Sequence, residues 1–246
     1  MKKPTNKLQE LVTRLQQACG ENLLSVVVYG SAVREDFHEE FSDVNALVVL
    51  RQLQPGSFAA ISKVLHWWSR EEKLRPPMIM TLEELRESAD VFAIELLDIK
   101  RSHQTLFGAD VITEIHVPMN LHRIEVEHEL RTTLWRLRHH LLLSMDNDDE
   151  LRAVLAKSIS SILTLFRHAL IAAGKDAPHE KAQVLQQAGE VFGVDVTPLR
   201  AILELRNDGR QSENLRELYH AYMAAIQGVA HELDVRAPKR HLQKTS

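Results

Sequence analysis

Residues 24–50 read LSVVVYGSAVREDFHEEFSDVNALVVL. The first six, LSVVVY, are short, β-branched and apolar, which predicts a buried strand punctuated by Gly30. The last seven, VNALVVL, predict a second strand of the same kind. The polar segment between them, SAVREDFHEEFSD, is long enough for one short helix followed by a loop. Connections held by buried strands are where functional groups concentrate, so this one is the place to look for chemistry.

Upstream, Leu8, Leu11, Val12, Leu15 and Cys19 recur at helical spacing, with Thr5 or Asn6 to cap the helix and Gly20 to end it. Downstream of Pro55 and Gly56, the run SFAAISKVLHWWSREEKL carries Ile61, Val64, Leu65 and Trp68 on one face and predicts a helix covering the sheet. Pro76 and Pro77 impose an extended start on PPMIM, and Thr81 with Glu84 three residues later forms a capping box for a short helix. Residues 91–99, VFAIELLDI, are apolar except for Glu95 and Asp98 and predict a central strand.

Beyond Gly108 the texture changes. Residues 112–117 allow one short extended piece, and the remainder is helical in periodicity, broken by Gly, Pro, Asn or Asp into four or five segments that predict a bundle. The expected fold class is α+β: a small mixed sheet with its helices over residues 1–117, then an all-α bundle over 118–236. A basic tail, 237–246, is expected to fray.

The bulk properties narrow the function classes. With 44% apolar and 26% charged residues in a chain of 246, the composition is that of a globular protein of one or two domains and excludes disordered or fibrous classes. A formal charge of -4 and a pI near 6.4 supply no basic field, which argues against a nucleic-acid partner. The single cysteine, Cys19, has no second thiol for a disulfide or a metal site, as fits a reducing cytoplasm. The start MKKPTNKLQELV runs into an amphipathic pattern unlike a signal peptide, and no segment reads as a membrane span of roughly 20 apolar residues. The expectation is a cytoplasmic protein with no membrane partner.

A strand, a Gly-Ser turn, a short helix, a loop and a strand opening on an acidic residue make a physically sensible triphosphate site. Gly30 lets phosphate oxygens approach the backbone, Ser31 offers a hydroxyl and an amide, and a helix beginning there points its positive end at the anion. Residues i and i+2 on a strand share a face, so Asp43 and Asn45 can present oxygens to magnesium together. The bland alternatives are a plain turn at Gly30 and Ser31, and a loop-ending role for Asp43.

On these residues the chain resembles the nucleotidyltransferase superfamily, to which polymerase beta and the kanamycin and minimal nucleotidyltransferases belong. The signature is a Gly-Ser, about ten residues, and Asp-x-Asp in a hydrophobic strand; residues 29–50 carry it specifically. The resemblance implies that Gly30 and Ser31 bind phosphate and that Asp43 is the first metal-binding aspartate. It implies magnesium as cofactor and a nucleoside triphosphate, ATP by preference, as substrate or ligand. Asn45 stands where the family has its second aspartate, so one full charge of attraction for a divalent ion is missing. The third carboxylate, on a later strand beside the Asp-x-Asp strand, falls to Glu95 ahead of Asp98. The stretch FAIELLDIKRSHQTLFGADV followed by a long charged helix extends the likeness to bacterial nucleotidyltransferase-like proteins with a helical carboxyl-terminal region.

Two functions follow. One is an enzyme that transfers a nucleoside monophosphate to a hydroxyl on a small-molecule or protein acceptor. The other is a catalytically inactive nucleotide-binding or regulatory protein, which Asn45 favours. Partners are then a nucleotide and that acceptor, with room for a homodimer. An antitoxin-like role ranks last, because a helical bundle is fused to the sheet domain. The late-chain histidines read as solvated or partly buried helix residues, Trp67 and Trp68 as core with one of them free for an interface, and Arg131, Arg136 and Arg138 as a solvated face.

Overall fold

A computed structural model describes residues 5–33, 44–208 and 214–236. The expected short helix and loop at 34–43, with Asp43, and the expected fraying at 237–246 lie outside these residues. The chain divides into two compact units, Met1–Pro118 and Met119–Ser246.

The first unit is built on a four-stranded mixed sheet in the order β3-β2-β1-β4. Strand β1 (Leu23–Tyr29) pairs antiparallel with both β2 (Asn45–Leu50) and β4 (His103–Gly108), and β3 (Met78–Thr81) runs parallel to β2. Central position explains the continuous apolar run in β1. Val26 and Val28 pack with α1 (Thr5–Cys19) and α2 (Pro55–His66), whereas Val27 faces the opposite layer. Full burial of one such side chain stabilises the fold by roughly 1.5–3 kcal/mol.

That opposite layer corrects the sequence reading. Residues 91–99 are not a strand: after α3 (Leu82–Glu87), Ala93–Arg101 forms helix α4. Ala93, Leu96 and Ile99, three residues apart, are buried toward the sheet with Val27, Leu47 and Val49, while Glu95 and Lys100 face solvent. The missing strand is β4, which begins twelve residues later than expected, in an unremarkably polar stretch. Gly108 ends it with φ +76°, and a Cβ there would lie 1.9 Å from the Leu24 carbonyl oxygen. Residues 112–117 form no strand but a bend and turn followed by irregular chain; Ile112, Ile115 and Val117 are buried beneath the same face.

Other local expectations hold. Thr81 and Glu84 make both hydrogen bonds of the capping box. Helix α2 ends in one π-helical turn, Trp67–Glu71, and both tryptophans are core: their rings meet at 5.8 Å, and the Arg14 guanidinium lies 4.2 Å over Trp67. Neither is left for an interface.

The second unit consists, among the described residues, of five helices: α5 (Met119–Leu143), α6 (Asp148–Ala172), α7 (Lys181–Phe192), α8 (Thr197–Asp208) and α9 (Leu215–Val235). Asn147, Glu180 and Asn214 cap α6, α7 and α9 by accepting backbone N–H groups, and Gly193 ends α7 in the left-handed conformation. Helix α6 is long and apolar enough to cross a membrane by those measures alone, but it packs against α5, α7, α8 and α9. The sequence reading missed a pair here: His122, near the start of α5, and His168, near the end of α6, bring Nε2 and Nδ1 to 2.9 Å, and both residues are fully buried. Arg131 binds Glu127 at 2.8 Å, and Arg138 reaches Gln227.

Candidate functional site

Strand β1 ends at Tyr29, opposite Asn45 on β2 and His103 on β4. Cross-strand partners share a face, so all three side chains project on the side covered by α3 and α4. At the next residue the chain turns. Gly30 adopts φ +76°, which glycine alone enters without strain, and Ser31 follows in a short 3-10 turn, Gly30–Val33. Gly30 N–H donates to the Ser102 carbonyl at 3.0 Å, and Ser102 Oγ donates back to the Gly30 carbonyl at 3.4 Å. The turn is thereby tied to the α4–β4 junction, and Gly30 has no amide to spare for a phosphate.

Glycine matters at position 30 for a second reason. A Cβ there would stand 3.4 Å from Asn45 Nδ2. The structure thus brings Gly30 and Asn45 together.

The residue that sequence reasoning missed is Arg75. Its Nη1 donates to Asn45 Oδ1 at 3.3 Å. A guanidinium only donates, so the contact settles the amide: oxygen toward Arg75, nitrogen toward Gly30. Arg75 is held in turn by its backbone. Its carbonyl accepts from the indole N–H of fully buried Trp68 at 2.7 Å, and Pro76 and Pro77 stiffen the chain that leads into β3. The available signal was an arginine immediately before a proline pair.

Glu95 lies in the first turn of α4 and is exposed. It still reaches the site electrostatically. Burial pushes the Tyr29 phenol above its ordinary pKa, the Arg75 charge works against that shift, and the Glu95 charge adds to it. Tyr29 therefore feels the opposing charges of a cation and a carboxylate. Asp98, half-buried, follows one turn along α4. On the far side of Tyr29, His103 is fixed by Ile99 O at 3.0 Å and Asp110 Oδ1 at 3.2 Å. The Asp110 carboxyl is held below the usual carboxylate range, first by the hydroxyl of Thr113.

The described residues do not assemble a magnesium site. Strand β3, the neighbour of β2, reads MIMT and carries no carboxylate. Among the described residues no group of three or more His, Cys, Asp or Glu is placed to hold a metal ion. The amide oxygen of Asn45 already faces a guanidinium. An ion bound to that oxygen would add a second cation within a few ångströms, and like unit charges at 4 Å repel by roughly 4 kcal/mol at an effective dielectric of 20. Elsewhere in this unit, a groove of about 450 Å³ lined by Phe58, Ile61, Leu65 and Ile79 opens between α2 and β3; none of the candidate residues lines it.

No family model matches the chain, and no curated protein matches it in sequence. Among solved structures it is similar to spectinomycin adenyltransferase AAD(9) from Enterococcus faecialis, solved with ATP and spectinomycin, at a TM-score of 0.57 and 18% identity. The likeness covers 94% of this chain and 99% of that one. At this identity it shows the fold alone: the chain shares the fold of that structure, a small mixed sheet followed by helices.

Proposed function

We propose that the Gly30–Asn45 end of the sheet holds a nucleoside triphosphate, ATP by preference, as a bound ligand in a regulatory or interaction role. The observation that carries this reading is the Arg75 guanidinium on the Asn45 amide oxygen. It sets a positive charge beside a left-handed glycine turn, an arrangement suited to an anion and poorly suited to a second divalent ion. Ser31 would contribute its amide to the phosphates, and Asp43 would remain as the one acidic residue of the motif.

A second reading, transfer of a nucleoside monophosphate to a small hydroxyl acceptor, is supported by the chain-length likeness to an adenyltransferase solved with both its nucleotide and its acceptor. Under that reading Glu95 would serve as the third carboxylate, supplied from a helix. Calorimetric titration with ATP and magnesium, coupled to a pyrophosphate assay in the presence of hydroxyl-bearing small molecules, separates the two. Binding without pyrophosphate release supports the ligand role, and release supports transfer. Absence of binding would remove both.

A further inference from the structure

We infer that Arg75 is the phosphate-binding cation of this site, and that it makes triphosphate binding independent of a divalent ion. The inference rests on the nucleotide reading above and adds a specific residue and ion requirement to it.

The argument starts from the partner. Asn45 is neutral, so it orients one N–H of the guanidinium without cancelling its charge. An aspartate at the same place would form an ion pair and leave little field for a ligand. Among the described residues no carboxylate pairs with Arg75. Arg75 is exposed, so its remaining N–H donors are accessible to a ligand. The charge also reaches Tyr29, next to Gly30, as its effect on the phenol shows.

Placement is fixed before any ligand arrives. The indole N–H of Trp68 holds the Arg75 carbonyl, and the following Pro76 and Pro77 restrict the backbone, so little freedom of the main chain is lost on binding. A planar guanidinium suits the oxygens of a phosphate, two at a time. The same charge disfavours a metal ion at the Asn45 oxygen. Substituting a fixed side-chain cation for a recruited ion predicts that ATP binds equally well after chelation.

The test is calorimetric titration of ATP into the full chain, once in excess EDTA and once in excess magnesium, for the wild type, Arg75→Met and Asn45→Asp. Thermal melts of each form establish that the substitutions at exposed Arg75 and half-buried Asn45 leave it folded. The wild type is expected to bind with dissociation constants that agree within about threefold in the two buffers. In EDTA, Arg75→Met is expected to weaken binding about ten- to a hundredfold, the size of a lost charge-assisted contact. Asn45→Asp, which neutralises the guanidinium, should weaken it in the same buffer. Binding that needs magnesium and is indifferent to Arg75→Met would overturn the inference while leaving the nucleotide reading in place. Failure of every form to bind in either buffer would sink that reading itself.

Discussion

Asn45 turns its amide oxygen to Arg75 and its amide nitrogen to the space in front of Gly30, so one neutral side chain links a cation to the turn that ends β1. The three residues come from separate parts of the chain, and each constrains the next. Their consequences can be measured one at a time.

Replacing Gly30 with alanine forces a Cβ into the left-handed region and against Asn45 Nδ2. The expected loss is about 1–2 kcal/mol of stability by urea denaturation. An unchanged midpoint would show that the turn does not need this conformation.

Tyr29 reports on its two charged neighbours. The chain has three tyrosines, and the other two, Tyr219 and Tyr222, titrate late because burial raises both, Tyr219 to about 12. In an ultraviolet titration Arg75→Met should therefore move the Tyr29 transition up, and Glu95→Gln should move it down. Shifts of the same sign, or none, would place Arg75 and Glu95 elsewhere.

The helical unit should lose stability in alkali. The Tyr219 phenol, donating to the Leu137 carbonyl at 3.0 Å, keeps its proton in the native state to about pH 12, whereas an unfolded tyrosine releases it near pH 10. The contribution is fully present below the unfolded value and is lost as the pH rises through the folded one. Denaturation midpoints should fall from about pH 10 upward, less steeply in Tyr219→Phe; identical slopes would contradict this.

For the buried histidines, removing one partner is expected to harm more than replacing both. His168→Leu strips His122 Nε2 of a 2.9 Å contact in a fully buried position and should destabilise by roughly 1–3 kcal/mol. The double change His122→Leu with His168→Leu should fall short of the sum of the single ones. Additivity by chemical denaturation would show that the pair is not coupled.

Much of this molecule was legible in its residues, and the failures have physical causes. The continuous apolar runs of β1 and β2, the capping box at Thr81 and the helices after residue 118 rest on local sequence pattern, which survives in one dimension. Residues 91–99 are apolar at almost every position, so strand and helix periods fit them equally; burial at Ala93, Leu96 and Ile99 decides for the helix. Strand β4 is short, begins at a histidine, and owes its place to pairing with β1. Within the candidate site, Gly30 and Asn45 could be read from the motif. Arg75 could not, because its meeting with Asn45 spans 30 residues and depends on the parallel pairing of β3 with β2.

The central claim is that a triphosphate sits where Gly30, Asn45 and Arg75 converge. Titrating ATP into nitrogen-15-labelled protein, with the side-chain signals of Asn45 Nδ2 and Arg75 Nε followed by NMR, tests it most directly. The account predicts saturable shifts of both signals together with the backbone amides of Gly30 and Ser31. Signals there that stay fixed while ATP perturbs another part of the chain, or perturbs nothing, would contradict it.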